Sequence, residues 1–392
     1  MNDLSEYFEP IDLSKLDAAK TYQPLALGNV MDIYFLEKKF PELKNVHIAI
    51  VGVEEDRAAV NNEGCGFAAD YVRQYLYKLY QGNYAVKIAD LGNIKKGFSV
   101  QDSYFAVTAV ATELIKHNII PLIIGGGQDI TFANYLAYES LEQTINMVAI
   151  DPAFDLGDVD QPLDSRSYLS KIILHQPNFL FNFSNIGYQT YFTDTNALQL
   201  ISKLYFDAYR IGQVRTSMEE AEPVIRNADL VTFDISAIRH SDAPGNGNAS
   251  PNGFYGEEAC QLVRYAGMSD KLSSIGFYEI NPVFDKSGQT THLVAQMIWY
   301  FIEGFYNRKK DYPINDKTEY LKYRVSIKNN KHEIIFYKSN KSSRWWMEVP
   351  YPPNKKIKYE RHCLVPCSYS DYETACKEEV PDRWWQTFQK LS

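Results

Sequence analysis

The feature that most constrains the fold is a series of eight short apolar runs that alternate with helical patterns. The runs predict strands at 47–53, 85–92, 119–126, 146–151, 183–189, 209–214, 228–236 and 273–281. Helical spacing of apolar residues occurs between them, for instance at 103–117, 195–209, 257–268 and 291–308. Strands that alternate with helices indicate a mostly parallel sheet, either open or closed into an eight-fold barrel. The pattern alone does not choose between these two α/β architectures.

The sequence changes character after the last of these helices. Residues 309–318 are typical of a linker, and the next two segments alternate apolar and polar residues around Asn329-Asn330, which predicts a hairpin. Two tryptophan pairs, at 345–346 and 384–385, favour a small core over a surface stacking platform. We therefore predict an N-terminal extension (1–44) that packs on the core, an α/β domain (45–308) and a small β-rich C-terminal extension (309–392).

The net charge of −9 conceals an uneven distribution. Residues 1–306 contain 22 Lys and Arg against 38 Asp and Glu, whereas residues 307–392 contain 18 against 11. The acidic body argues against nucleic acid as the main partner. The basic tail could contact nucleic acid or another acidic surface, but we favour the acidic body of the same chain.

The five cysteines and the N-terminal residues indicate the compartment. Five is an odd number, which suits free thiols in a reducing compartment, and the start of the chain lacks the pattern of a secretion signal. No apolar stretch of 18 residues follows, so we predict a cytoplasmic protein with no membrane partner. The spacing of His362, Cys363, Cys367 and Cys376 matches no standard zinc pattern, which favours structural cysteines.

Polar residues stand where several predicted strands end: Gln128, Asp151, Asp155, Asp234, Ser236 and Glu279. Ligands gather beyond the carboxyl ends of parallel strands in open sheets and in barrels alike. The carboxylates could simply cap the helices that follow, or pair with Arg215 or Arg239. Brought together, however, like charges destabilise one another unless a cation or a proton neutralises them. The sequence thus indicates a cleft that binds either a cation or the cationic group of a substrate.

Four segments resemble motifs of the arginase/ureohydrolase family, and within it the formimidoylglutamase branch: IIGGGQD, AIDPAFDL, VTFDISAIRHSDAPG and GFYEINPVFDKSGQTTHLVAQMI. The segment NIGYQTYFTDTNAL is also similar to the formimidoylglutamase version of a middle strand. The resemblance covers roughly residues 45–308. It implies an open three-layer α/β/α sandwich with a roughly eight-stranded parallel sheet, and not a barrel.

The resemblance also implies a chemistry. Members of the family hold two Mn²⁺ ions, bound by two histidines and four aspartates, which share a hydroxide that attacks a guanidinium or formimino carbon. The six ligand positions fall here on Gln128, Asp151, Ala153, Asp155, Asp234 and Ser236. Half of them are therefore not the family's residues, because Gln128 and Ala153 replace histidines and Ser236 replaces an aspartate. Glu279 matches the acidic residue that faces the guanidinium of the substrate.

These substitutions set our functional expectations. We predict a pseudoenzyme that retains the fold, has lost dinuclear hydrolysis and has no cofactor, with a binding or scaffold role. The alternative is one Mn²⁺, Mg²⁺ or Ca²⁺ held weakly by Asp151, Asp155, Asp234 and Gln128. In that case the chain would be a hydrolase of linear C–N bonds, in which Asp151 and Asp234 are the candidate catalytic remnants. Expected partners are an amidine or cationic metabolite near Glu279, a protein bound through 309–392, and further copies of the chain.

Overall fold

A computed structural model describes residues 3–12, 22–158, 160–313, 319–327, 332–352 and 360–392. Its largest element is a ten-stranded sheet formed by β1 (Phe8–Glu9), β2 (Asp32–Ile33), β3 (Ile48–Val53), β4 (Ile88–Ile94), β5 (Ile120–Ile124), β6 (Ile145–Ile150), β7 (Leu180–Tyr188), β8 (Asp207–Arg210), β9 (Leu230–Asp234) and β10 (Ser274–Tyr278). The strand order is β1-β4-β3-β5-β10-β9-β6-β7-β8, with β2 also beside β4. Every pair is parallel except β1 with β4. Among the described strands β8 pairs with β7 alone, so the sheet is open and the barrel is excluded.

Helices cover both faces of this sheet. They are α1 (Leu27–Val30), α2 (Ala68–Leu76), α3 (Val100–Lys116), α4 (Ile130–Ser140), α5 (Tyr168–Leu174), α6 (Thr195–Lys203), α7 (Ile211–Thr216), α8 (Ala221–Arg226), α9 (Gly256–Gly267) and α10 (Gln289–Tyr306). None of the helices in the described residues is long and apolar enough to cross a membrane.

The strands are apolar because both of their faces are buried. All six residues of β3 are buried. Ile48 and Ile50 belong to a core cluster with residues of α2, α8, α9 and α10, whereas Ala49 and Val51 belong to a second cluster with residues of α3 and α4. Successive side chains of a strand point to opposite faces, so one run of apolar residues serves both layers. This arrangement is the predicted α/β/α sandwich.

The predicted elements agree with the structure except near residue 210. The helix predicted at 195–209 ends at Lys203, and β8 begins at Asp207. The strand predicted at 209–214 is wrong, because the chain turns into α7 at Ile211. The apolar residues of this segment, Ile211 and Val214, are three positions apart. Side chains at this spacing lie on one side of a helix, so the apolar residues that we assigned to a strand fit α7 as well.

The C-terminal extension contains a separate four-stranded antiparallel sheet. Its strands are β11 (Tyr320–Ile327), β12 (His332–Ser339), β13 (Trp345–Glu348) and β14 (Leu364–Cys367), followed by α11 (Tyr369–Cys376) and α12 (Asp382–Leu391). β11 and β12 pair as the predicted hairpin requires, and Asn329-Asn330 lies outside the described residues. Trp345 and Trp346 are buried as predicted, whereas Trp385 is half exposed.

Ion pairs join this extension to the acidic body of the chain. They are Arg344–Glu222 at 3.1 Å, Arg361–Asp229 at 2.7 Å and Arg383–Glu220 at 3.2 Å. The basic residues of the tail therefore contact the body of the same chain, as we favoured from the charge distribution.

Arg226, at the end of α8, lies in the middle of this contact. Its Nη2 donates to the carbonyl oxygens of Trp345 at 3.2 Å and Cys367 at 3.5 Å, and its guanidinium lies 4.4 Å from the ring centroid of Trp346. Arg226 is almost fully buried, and Glu222 of the same helix compensates its charge at 2.9 Å, so the contacts with the tail satisfy the hydrogen-bond donors of its Nη2.

Candidate metal centre and cleft

The candidate site lies in the middle of the sheet, beyond the carboxyl ends of four adjacent strands. These strands are β5, β10, β9 and β6, in that spatial order. Gln128 follows β5, Glu279 follows β10, Asp234 ends β9 and Asp151 follows β6. The predicted gathering of these strand ends at one edge is therefore present in the fold.

A glycine turn carries the chain from β5 to Gln128. Gly125 and Gly126 have φ angles of +95° and +79°, a region that side chains with a Cβ rarely adopt. A Cβ on Gly126 would lie 2.6 Å from the carbonyl oxygen of Glu55. The backbone N–H of Gln128 then donates to Oε1 of Glu279 at 2.9 Å, which ties the turn to the end of β10.

Asp151, Asp155 and Asp234 form a compact carboxylate cluster. One oxygen from each lies within 4.8 Å of the others, which suits shared contact with a single ion. Asp155 has a φ of +48°, a backbone conformation that is uncommon for residues other than glycine. Asp151 Oδ2 and Asp155 Oδ2 are buried and have no hydrogen-bond partner among the described residues. The cluster thus presents unsatisfied acceptors to a potential cation.

Burial raises the pKa values of all three carboxyl groups, and repulsion by neighbouring carboxylates adds to the shifts of Asp151 and Asp155. For Asp151 the main cause is burial, followed by the charges of Asp155 and Asp234. Burial, and then the charge of Asp234, raises the pKa of Asp155 to about 7. Burial raises the pKa of Asp234 to about 6, against the opposing hydrogen bonds from Ser236. Without a cation, the cluster therefore binds protons near neutral pH.

Two of the positions that correspond to metal ligands, Ala153 and Ser236, donate backbone hydrogen bonds to this cluster. The N–H of Ala153 donates to Asp151 Oδ1 at 2.7 Å, and the N–H of Ser236 donates to Asp234 Oδ1 at 2.7 Å. The methyl group of Ala153 has no atom that can bind a metal, and the hydroxyl of Ser236 is an uncharged ligand. Consequently Asp151 and Asp234 each have one oxygen already in a hydrogen bond.

Gln128 is fully buried. Its Nε2 donates to Thr232 Oγ1 at 2.8 Å, while its Oε1 has no partner among the described residues. An amide oxygen is a neutral ligand that hard cations accept. The amide nitrogen of Gln128 is therefore engaged in a hydrogen bond, whereas its amide oxygen is available as an acceptor or a ligand.

Glu279 lies at the base of the cleft, with both of its carboxylate oxygens occupied. Oε1 accepts from the N–H of Gln128 at 2.9 Å, and Oε2 accepts from Nδ2 of Asn62 at 2.6 Å. Its backbone carbonyl accepts from Asn62 and from Asn246. Burial, followed by the charge of Asp234, raises the pKa of its carboxyl group well above the ordinary value. The sequence did not reveal Asn62 and Asn246, which hold this residue.

The cleft has a volume of about 510 Å³, and the three clustered aspartates line it together with Arg166 and Asn248. Sequence reasoning missed these last two residues. A larger space of about 630 Å³ lies between α9 and α10, but none of the clustered aspartates lines it. We assign the functional site to the smaller cleft because the unsatisfied carboxylate oxygens lie there.

The alternative ion pairs considered for the strand-end aspartates are not formed. Arg215 pairs with Glu258 at 3.0 Å, and Arg239 pairs with Asp242 at 2.8 Å. Both guanidiniums lie 4.0 Å from the ring centroid of Tyr255. These arginines are thus held away from the carboxylate cluster.

His362 and the neighbouring cysteines do not form a metal site in the described part of the chain. His362 stacks on Phe181, with 3.9 Å between the ring centroids, and its Nε2 lies 3.1 Å from Thr144 Oγ1. Among the described residues, the side chains that come close enough together to hold a metal ion are those of the aspartate cluster, and His362 and the cysteines are not among them. The cysteines are free thiols, as predicted.

Comparisons with known proteins agree with the motif resemblance. The model of the arginase family matches residues 46–303. A formimidoylglutamase of Staphylococcus haemolyticus is 25% identical over 287 residues, which span 69% of this chain and 92% of that protein. A formimidoylglutamase of Photorhabdus laumondii is 24% identical over 315 residues, which span 75% and 95%.

Solved structures show the same fold. The Trypanosoma cruzi formiminoglutamase with Mn²⁺ matches with a TM-score of 0.65 at 18% identity, covering 72% of this chain and 99% of that one. The Bacillus subtilis formimidoylglutamase matches with a TM-score of 0.66 at 16% identity, covering 75% and 96%. The expectation of no cofactor is wrong, because a structural neighbour of this fold was solved with Mn²⁺. That expectation gave too much weight to the three replaced ligands and too little to the three aspartates that remain.

Proposed function

Because the chain belongs to the arginase family, we propose that its cleft holds one divalent cation and that it has lost hydrolysis by a pair of ions. The observation that carries this proposal is the buried cluster of Asp151, Asp155 and Asp234, whose oxygens lie within 4.8 Å of one another. Its role would be to bind a small ligand at the cation.

The donor set fits one hard cation. The three carboxylates give an all-oxygen set, which suits Mg²⁺, Ca²⁺ or Mn²⁺, and the unpartnered amide oxygen of Gln128 is our proposed fourth ligand. When bound, the ion would neutralise the repulsion within the cluster and supply Lewis acidity to a ligand in the cleft. The unpartnered oxygens of Asp151 and Asp155 support this assignment, because buried acceptors are normally satisfied.

The donor set does not fit a second ion. A second position would depend on Asp151 and Asp234 alone, since Ala153 has no ligand atom and Ser236 contributes at most a neutral hydroxyl. Moreover, Asp151 Oδ1 and Asp234 Oδ1 already accept backbone hydrogen bonds, which weakens their capacity to bridge two ions. We therefore derive no step that requires two ions.

Metal stoichiometry tests the proposal. The protein is stripped with chelator and titrated with Mn²⁺, with free ion followed by electron paramagnetic resonance and bound ion by elemental analysis. We expect one ion per chain and at least tenfold weaker binding in Asp155→Asn. Asp194→Asn is the matched control, because Asp194 lines the cleft outside the cluster. Two ions per chain, or none, would contradict the proposal.

A second candidate function is hydrolysis of linear C–N bonds with a single ion. It is favoured by the open cleft of about 510 Å³ above the cluster, and by relatives named formimidoylglutamase. It predicts turnover of formimidoylglutamate, agmatine or arginine that is lost in Asp151→Ala and in Asp234→Ala. Absence of turnover in a protein shown to hold one ion would favour the binding role.

A further inference from the structure

Arg166 is the one basic residue among the described residues that line the cleft. Its side chain is exposed, so it faces solvent as well as the cleft. The same cleft is lined by the three aspartates of the cluster, and their charges would repel an anion. The single guanidinium group of this acidic cleft is therefore a candidate for contact with a ligand.

Hydrogen bonds hold Arg166 in position across the cleft. Its Nη2 donates to Asn248 Oδ1 at 2.8 Å, and Asn248 Nδ2 donates to the carbonyl of Val60 at 2.9 Å. The backbone N–H of Asn248 donates to Asn246 Oδ1 at 2.5 Å, and Asn246 in turn donates to the carbonyl of Glu279. This chain of contacts fixes the amide of Asn248 and places the guanidinium relative to the base of the cleft.

Arg166 does not act as a direct counterion of the cluster. Within the described residues it forms no ion pair shorter than 4.0 Å, and its side chain donates to Asn248. Its charge still opposes the upward shift in the pKa values of Asp155 and Asp234, so it is near enough to interact with them. Guanidinium N–H groups therefore remain available for another acceptor.

We propose that the cleft binds an oxyanion, a carboxylate or phosphate of a small metabolite, between the bound cation and Arg166. The inference rests on the one-cation proposal and names the class of ligand. A divalent ion and Arg166 carry three positive charges, which offset those of the three clustered aspartates, while Glu279 and Asp194 are the other acidic residues of the lining. The planar guanidinium matches a carboxylate or phosphate with two parallel hydrogen bonds.

The geometry of Glu279 supports an anionic ligand group over a cationic one. Both of its carboxylate oxygens already accept hydrogen bonds, from Gln128 and Asn62. A cationic amidine could use only the second lone pair of each buried Glu279 oxygen, whereas an oxyanion would meet the exposed donors of Arg166.

The test is calorimetric titration of the Mn²⁺-loaded protein with L-glutamate, with inorganic phosphate and with the cation agmatine. We expect one of the two anions to bind, and the anion that binds identifies the carboxylate or the phosphate as the ligand group. Arg166→Gln should weaken this binding by tenfold to a hundredfold, whereas Arg166→Lys should retain part of it. Arg324→Gln, an exposed arginine of β11, is the matched control.

Mn²⁺ binding is measured in each variant first, by electron paramagnetic resonance. Failure of the wild-type protein to bind Mn²⁺ would refute the one-cation proposal itself. If Mn²⁺ binds, three results would overturn the role of Arg166: equal anion binding in Arg166→Gln, binding of agmatine alone, or no binding of any probe. Loss of Mn²⁺ affinity in Arg166→Gln would also overturn it, because the residue would then serve only the cluster.

Discussion

Removal of divalent cations should make this protein less stable as the pH rises through the neutral range. When no cation is present, the negative charge of the carboxylate cluster can be neutralised by bound protons. The folded-state pKa values of Asp155 and Asp234, about 7 and about 6, are raised above the ordinary value of 3.8. A raised pKa means that the folded state holds the proton more tightly than the unfolded state. The stability from these protons is complete at acidic pH and is lost as the pH rises through 6 and 7.

The magnitude follows from the linkage between protons and folding. A single group that keeps its proton only in the folded state changes the free energy of unfolding by about 1.4 kcal/mol per pH unit. Asp155 alone would account for about 3 kcal/mol between pH 5 and pH 7. A chain of 392 residues has an entropy of unfolding of about 0.8 kcal/mol per degree, so the Tm should fall by about 3 to 4 °C. A cation at a concentration of a hundred times its Kd would raise the free energy of unfolding by about 2.7 kcal/mol and the Tm by about 3 °C.

Differential scanning calorimetry between pH 5 and pH 8, with chelator or with Mn²⁺, measures these shifts. Asp155→Asn isolates the effect of the cluster, because the variant lacks one of the repelling charges and one of the ligands. In chelator at pH 8 the variant should be more stable than the wild-type protein, and Mn²⁺ should raise its Tm less. The reasoning would be refuted if the difference in Tm between wild-type and variant proteins stayed constant across this pH range.

Three further variants test the surrounding structure. Asn62→Ala should lower the free energy of unfolding by about 1 to 3 kcal/mol in urea denaturation, because a buried carboxylate loses a hydrogen bond. Arg226→Met should loosen the C-terminal extension and increase its cleavage in limited proteolysis, whereas unchanged cleavage would show that the ion pairs suffice. The triple change Gln128→His, Ala153→His and Ser236→Asp should raise Mn²⁺ stoichiometry from one to two ions per chain by elemental analysis.

The central sheet was predictable because its strands are apolar along their whole length. β3 and β5 are buried at every residue, so their periodicity could not be confused with that of an amphipathic helix. The choice between open sheet and barrel depends on strand order, which is a property of distant contacts. β1 and β2 have two residues each and leave no periodic signal. The error at 209–214 arose where Ile211 and Val214 fit either element.

The acidic part of the site was predictable, and the residues that hold it were not. Asp151 and Asp234 follow apolar strands directly, so the sequence places them at the sheet edge. Arg166 meets Asn248 across 82 residues of chain, a distance over which local spacing carries no information. The presence of a metal could not be judged by counting replaced ligands, because the affinity of a site depends on which oxygens remain unsatisfied.

The contact between α8 and the tail has a consequence for the order in which this protein is completed during translation. The hydrogen bond from Arg226 to the carbonyl of Trp345 joins residues 119 positions apart. At about 5 to 20 residues per second, a ribosome needs roughly 6 to 24 seconds to make that segment. During this interval the finished strands of the body would emerge with the acidic surface around α8 uncovered. Closure of that surface is therefore a late event of synthesis, and a chain released before β13 would keep it open to solvent and to other proteins.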